Sequence, residues 1–292
     1  MSFRPFLVTA VRARRVAPLI QRVTFTGVDD MGPACPILDL RIKLIIPGDS
    51  GLPELPVEGW WDAWRDLPAE QQGFLRTYSI RELRRVEDGP DELDVDFVVH
   101  THNPGPASGW AAEARPGDQI IVIGPSREDA CGTGIEFAPG TASLARLYGD
   151  ETALPAIARI LEDWPAGLFG SADIEVPAGN RLPLRVPTGV DVAWHMRKDA
   201  HRGHGNLLHS ALAKRISARP AGGQGDDGCP EEVWETPFYS SSGEDIGSAH
   251  DAGEDTYYWI AGKNTFVATM RRLLVTEAGV PRHRVSFMGY WR

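Results

Sequence analysis

A chain of 292 residues is long for one hydrophobic core and comfortable for two, and its 42% apolar and 24% charged residues are the balance of an ordinary globular protein. Acidic residues outnumber basic ones 40 to 30, and the resulting formal charge of -10 repels a nucleic-acid backbone, so nucleic acid is not expected as a partner. The first residues run into an alternating pattern without an apolar signal core, and no apolar run approaches a bilayer span; a cytoplasmic protein with no membrane insertion is expected.

Short strands punctuated by turn residues come first: Phe6 to Val11, Ile20 to Thr26, Leu40 to Ile46, Thr77 to Arg81, Leu93 to Thr101 and Gln119 to Ile123. Several alternate apolar and polar residues, as half-buried antiparallel strands do, and their number predicts a small β-barrel over residues 1–140. Pro47 to Gly73 interrupts them. That stretch is rich in Pro, Gly and acidic residues yet holds Trp60, Trp61 and Trp64, which predicts a partly packed insertion with a short helix.

After Pro139 the apolar period changes. Ser143 to Gly149 reads as a strand, and Thr152 to Trp164 places Leu154, Ile157, Ala158, Ile160 and Leu161 at helical spacing. Strands at Ile174 to Val176 and Val190 to Met196, a helix at Asn206 to Ser217, a strand at Tyr257 to Ala261, a helix at Thr265 to Ala278 and a strand at Val285 to Tyr290 follow. Such alternation predicts a mostly parallel sheet with helices over residues 141–292, interrupted by a loop of low hydrophobicity over residues 221–255. Barrel plus α/β domain is also the plan of ferredoxin-reductase-like flavoenzymes, an analogy of architecture alone.

Cys35, Cys131 and Cys229 form no CxxC pair, which argues against an iron–sulfur cluster or a zinc knuckle and predicts three reduced thiols. Cys131-Gly132-Thr133-Gly134 starts like a dinucleotide fingerprint, but Phe137 stands where the third glycine belongs. His201, His204 and His209 flank glycines without a carboxylate at ligand spacing and are read as solvated histidines; no metal site is expected.

Arg76-Thr77-Tyr78-Ser79-Ile80-Arg81 is the sharpest local pattern, because strand geometry puts Arg76, Tyr78 and Ile80 on one face and Thr77, Ser79 and Arg81 on the other. A guanidinium can grip phosphate with two parallel bonds, and a tyrosine ring can cover a flat cofactor. Taken alone, the pattern also fits a plain strand with surface arginines. Further on, Gly149-Asp150-Glu151-Thr152-Ala153 occupies a strand-to-helix turn, where open α/β sheets bind nucleotides and where Asp150 or Thr152 can simply cap the helix.

These two blocks, together with Val98-Val99-His100, Gly105-Pro106-Ala107-Ser108-Gly109-Trp110 and Gly289-Tyr290-Trp291-Arg292, resemble the siderophore-interacting protein family in its own order and across nearly the whole chain. The resemblance implies a two-domain fold, an all-β Greek-key barrel that binds FAD followed by an α/β NAD(P)H-binding-like domain. It carries Arg76, Thr77, Tyr78 and Ser79 over as flavin contacts. It also carries Val98, Val99 and His100 with Gly105, Pro106, Ala107 and Ser108 as the pyrophosphate cradle, Thr152 and Ala153 as contacts of the flavin or nicotinamide, and Trp110 as packing support. His100 also fits a core histidine satisfied by hydrogen bonds.

The implied activity is reduction of ferric siderophores, with electrons from NADH or NADPH, or from ferredoxin, passing through FAD to Fe(III). A basic pocket is implied too, with Lys43, Arg127, Arg197, Lys263 and Arg292 as candidates; each also reads as a solvated charge. Lys263 departs from the family, which carries an acidic residue after this Ala-Gly. Two other readings stay open: a flavin oxidoreductase with another acceptor, and a ferric-siderophore binder without turnover.

Overall fold

The computed structural model describes residues 3–33, 35–100, 104–129, 132–199, 203–216, 233–237, 239–240 and 255–291. The chain divides into two compact units, Met1–Ile135 and Glu136–Arg292.

The first unit contains β1 (Arg4–Ala17), β2 (Ile20–Thr26), β3 (Arg41–Ile46), α1 (Trp60–Arg65), β4 (Phe74–Ser79), β5 (Glu82–Arg84), β6 (Glu92–Val98), α2 (Pro106–Glu113) and β7 (Gln119–Gly124). Its strands form one antiparallel sheet in the order β4-β3-β7-β1-β2-β6-β5. Period-two alternation decides what each face carries. Leu93, Val95 and Phe97 of β6 join the main core with Phe6, Val8, Phe25, Ile42 and Leu44, whereas Asp94 and Asp96 point the other way. There Arg22 grips Asp96 with bonds of 2.7 and 2.8 Å, and Arg84 and Thr24 donate to Asp94.

The tryptophan-bearing insertion does pack. Trp60 and Trp64, with Leu52, Leu55 and Leu75, cover Ile45, Ile121 and Ile123 on the outer face of the sheet. Each indole N–H finds a carbonyl, Trp60 that of Phe3 at 2.7 Å and Trp64 that of Gln72 at 2.9 Å, so the rings are anchored at both their apolar and polar ends.

The second unit contains β8 (Leu144–Gly149), α3 (Leu154–Glu162), β9 (Phe169–Pro177), β10 (Val190–Arg197), α4 (Asn206–Ile216), β11 (Trp234–Thr236), β12 (Tyr239–Ser240), β13 (Thr256–Lys263), α5 (Asn264–Arg271) and β14 (Val285–Trp291). The sheet order is β10-β9-β8-β13-β14-β11-β12; the pairs from β10 through β14 are parallel, and those of β11 are antiparallel. Tyr148 faces α4 and α5 in the core, while its neighbour Gly149 faces Ala153 and Ile157 around α3, so helices cover both faces. The turn after β8 needs glycine for that reason: a Cβ on Gly149 would stand 2.7 Å from both Ala153 Cβ and Ile157 Cδ1.

Several expectations change. Cys35 is disulfide-bonded, not a reduced thiol, because pairing depends on proximity in the fold and not on sequence spacing; Cys131 and Cys229 lie outside the described residues. Within the stretch read as a loop over residues 221–255, β11 and β12 add to the sheet, with Trp234 stacked on Tyr290 and Glu235 paired to Arg271; most of the remainder lies outside the described residues. The last long helix is α-helical only through Arg271 and continues as a π-helical segment, Arg272–Glu277. Among the described residues no helix is long and apolar enough to cross a membrane.

Candidate functional site

In the first unit, β4 is the edge strand, with Lys43↔Thr77 and Leu44↔Arg76 in register across to β3. Tyr78 and Ile80 face the main core, and Leu75 faces the outer cluster. Arg76 and Thr77 are exposed, Ser79 is half-buried, and Arg81 is buried near Asp96. The Tyr78 ring lies 4.7 Å from Phe97, and burial raises its hydroxyl pKa well above the usual tyrosine range. Phe97 in turn lies 5.7 Å from Trp110, which stacks on Phe25. This row of rings ties β4 to β6 and α2.

Directly after Phe97, the Val99 N–H donates to the Leu19 carbonyl, and the His100 N–H donates to Ser108 Oγ at 2.8 Å. The buried Ser108 thus fastens the end of β6 to the first turn of α2. Gly105, extended at φ -67° and ψ 166°, opens this helix; Pro106 supplies no N–H, and the Gly109 N–H closes the first turn on the Gly105 carbonyl. Helix geometry therefore leaves the Ala107 and Ser108 N–H groups as outward donors, where anions bind. Space beside Gly105 is open, since a Cβ there would meet nothing within 4 Å.

In the second unit, the parallel strands run 3-2-1-4-5 in chain order, so the order reverses between β8 and β13, where such sheets bind ligands. Asp150 bridges that point. Its Oδ1 accepts the Thr152 N–H and hydroxyl at 2.9 and 2.5 Å, and its Oδ2 accepts the Lys263 N–H at 2.8 Å and the Trp291 indole N–H at 3.1 Å. Gly262 is required beside it, because a Cβ would lie 2.6 Å from Asp150 Oδ2. Thr152 and Ala153 therefore stand at the entry to α3, fixed by Asp150.

Next to it, Glu151 is buried and gripped by Arg197 with bonds of 2.6 and 2.8 Å, and Arg197 also donates to Glu175 at 3.1 Å. Glu175 caps α4 by accepting the Gly205, Leu207 and Leu208 N–H groups. Burial, reinforced by Asp150 and opposed by Arg197, pushes the Glu151 carboxyl up to about 7. His204 Nδ1 lies 3.7 Å from Glu151, and its ring meets Trp291 edge-on. The His204 side chain is consequently 7% exposed, not solvated: the carboxylate absent at sequence spacing arrives from the turn after β8. Donor atoms of Asp150, Glu151 and His204 lie within 4.8 Å of one another, but the carboxylates are occupied by hydrogen-bond donors and a guanidinium, the make-up of an ionic network and not of a cation site.

Comparison with known proteins shows where this architecture belongs. Residues 9–129 match the model of the siderophore-interacting FAD-binding domain, and residues 142–292 match that of the siderophore-interacting protein. The chain belongs to the siderophore-interacting protein family. It is 28% identical to the ferric vibriobactin reductase ViuB of Vibrio cholerae over 99% of this chain and 89% of that protein. It is 30% identical to the NADPH-dependent ferric-chelate reductase of Escherichia coli over 53% of this chain and 55% of that one. A siderophore utilization protein from T. fusca superposes with a TM-score of 0.65 at 26% identity, covering 99% and 92% of the two chains.

The five basic residues singled out in this siderophore-interacting protein fall in different settings. Lys43 lies near Thr77, with Nζ 3.4 Å from its hydroxyl. Arg127 is half-exposed and donates to Asp91 beside Arg85, lining a cavity of about 690 Å³ with Pro33, Ile37 and Val86. Lys263 Nζ sits 4.9 Å above the Trp291 ring. Arg197 departs from the expectation of a solvent-facing cation, because its side chain is 3% exposed between two glutamates. Arg292 lies outside the described residues. The motif reading gives Glu151 no role of its own and takes His204 as solvated; the signal for Glu151 is a second acid beside Asp150 after an apolar strand.

Proposed function

We propose that this protein is an FAD-dependent reductase of ferric siderophores, taking electrons from NAD(P)H and delivering them to Fe(III) so that Fe(II) leaves its chelator. The observation that carries the reading is the joining, within the unit matched by the FAD-binding model, of the Arg76-to-Ser79 strand to the first turn of α2 through Tyr78, Phe97 and Trp110. That donor set suits a dinucleotide diphosphate: an exposed guanidinium at Arg76, the N–H groups of Ala107 and Ser108, and clear space beside Gly105.

In this reading Arg76 binds phosphate oxygens, while Tyr78, Thr77 and Ser79 orient the flavin. Val98, Val99 and His100 set the height of the Gly105-to-Ser108 turn. FAD, when bound, supplies a group that accepts two electrons together and passes them on singly. Thr152 and Ala153, held by Asp150, shape the turn at which the nicotinamide or flavin is met. Lys43, Lys263 and Arg292 favour an anionic chelate, whereas Arg127 is already paired with Asp91. Reduction then weakens the hold of hard oxygen donors on the iron. Ferredoxin as an alternative donor, closure of the first sheet as a Greek-key barrel and a cytoplasmic setting belong to the same reading.

The test is anaerobic mixing of the FAD-loaded protein with a ferric siderophore, NADPH or NADH, and a colorimetric Fe(II) trap. Trapped Fe(II) that depends on protein and nicotinamide is expected. A chain that cannot bind FAD sinks the reading entirely; a yellow protein that yields no Fe(II), even after chemical reduction, keeps the fold and loses the function.

A further inference from the structure

The edge strand β4 of the first sheet presents a large apolar side chain to solvent. Phe74 is 41% exposed, whereas Ile46, its partner across the ladder, is 1% exposed. Pairing fixes the face on which Phe74 stands. Phe74, Arg76 and Tyr78 lie opposite Ile46, Leu44 and Ile42, all members of the main core, so the three share the core-bearing face of the sheet. Leu75 turns the other way, toward Trp60 and Trp64, so the aromatic insertion packs on the face away from Phe74.

The backbone beneath the ring is held in place. Just before it, the Trp64 indole donates to the Gln72 carbonyl at 2.9 Å, and Gly73 turns the chain at φ 64° against Ile46, whose carbonyl oxygen would stand 2.6 Å from a Cβ. Ladder pairing begins at the next residue, with Ile46↔Phe74. An aromatic ring on a fixed backbone loses little freedom when a flat partner stacks on it, and any nucleobase offers such a face.

Same-face residues on a strand follow one another at about 6.8 Å. Along β4 this puts a ring, a guanidinium and a ring in line, at Tyr78, Arg76 and Phe74. FAD carries its groups in the same order: flavin, diphosphate, adenine. With Tyr78 at the flavin and Arg76 at the phosphates, the part of the cofactor left beyond Arg76 is adenosine. Nicotinamide and ferric chelate must instead approach the flavin, at the opposite end of the strand. We propose that Phe74 is a further FAD contact, the platform on which the adenine base stacks, so that a single edge strand recognises both halves of the dinucleotide. The inference rests on the proposed FAD-binding roles of Arg76 and Tyr78, and it makes Phe74 the residue that distinguishes FAD from FMN.

FMN carries the flavin and a phosphate but no adenosine, and so serves as the control. Titration of the full-length apoprotein with each flavin, followed by flavin fluorescence, reads binding without turnover. Phe74→Ala should weaken FAD binding about 5- to 150-fold, the range for loss of one stacked base, and leave FMN binding unchanged. Phe74→Leu, which keeps an apolar cover over Ile46, should lose FAD affinity in the same selective way, and Phe74→Trp should retain it. Equal weakening of FAD and FMN, or FAD affinity indifferent to these substitutions, overturns the inference. If the variants do not fold, the unaltered FAD-loaded chain carries the test: nuclear Overhauser contacts between the adenine protons and the Phe74 ring are expected, and their absence once both sets of signals are assigned counts against the proposal. FAD-selective weakening in a protein that yields no Fe(II) would remove the reductase reading alone, whereas Fe(II) production with FAD affinity indifferent to Phe74 would remove this inference alone.

Discussion

At the scale of single residues, Arg76 and Glu151 make opposite demands on the chain. Arg76 is exposed, and among the described residues its guanidinium donates to the Leu75 carbonyl at 2.8 Å alone, so folding asks little of it. Arg76→Ala should leave thermal stability nearly unchanged while weakening FAD binding about 10- to 100-fold, the loss of a charge-assisted bond pair worth about 1.5–3 kcal/mol. Titration of the apoprotein with FAD checks this, and Arg76→Lys should restore only part of the affinity because an ammonium lacks the planar fork. Glu151 bears on folding instead. Its folded pKa stands near 7 against an ordinary 4.5, so between those values the folded state binds more protons than the unfolded one, and stability falls as pH rises. The cost is complete above pH of about 7 and amounts to about 3 kcal/mol. Glu151→Gln should therefore flatten the slope of stability over that window in denaturant titrations at several pH values.

At the scale of elements, period alone made most strands and helices legible, because Leu93, Val95 and Phe97 or Leu154, Ile157 and Leu161 repeat at strand or helix spacing and do become core. What stayed illegible depends on tertiary neighbours. Arg197 ends a strand as a solvent-facing cation would, but Glu151 from the turn after β8 and Glu175 from β9 meet it in the interior. Cys35 and His204 are misread for the same reason, since a partner distant in sequence leaves no mark at local spacing. β5 and β11 are three residues each, too short for a period to register. Strand-to-helix turns are readable where sterics leave no choice, and Gly149 is such a place. Gly149→Ala puts a methyl 2.7 Å from Ala153 and Ile157 atoms, so α3 must move off β8. A loss of about 1–3 kcal/mol is expected from overpacking, measured by chemical denaturation, while FAD binding in the first unit is retained.

At the scale of the whole molecule, the formal charge of -10 and the basic residues expected at the site pull in opposite directions for an anionic ferric chelate. The structure shifts that balance. Arg197 is fully committed to Glu151 and Glu175, and Arg127 donates to Asp91, so two of the expected cations bring their own counter-charges. Their fields largely cancel beyond a few ångströms, whereas the surplus of carboxylates remains. Net repulsion should then dominate approach at long range, and salt should relieve it: the screening length drops from about 30 Å at 0.01 M to about 8 Å at 0.15 M. The expected outcome is a kcat/KM for a negatively charged ferric catecholate that rises across this range, while that for an uncharged ferric hydroxamate hardly changes. Initial rates of Fe(II) trapping at fixed NADPH measure both. A fall in the catecholate rate with salt would mean that Lys43, beside Thr77, and Lys263, above the Trp291 ring, outweigh the acidic surface after all.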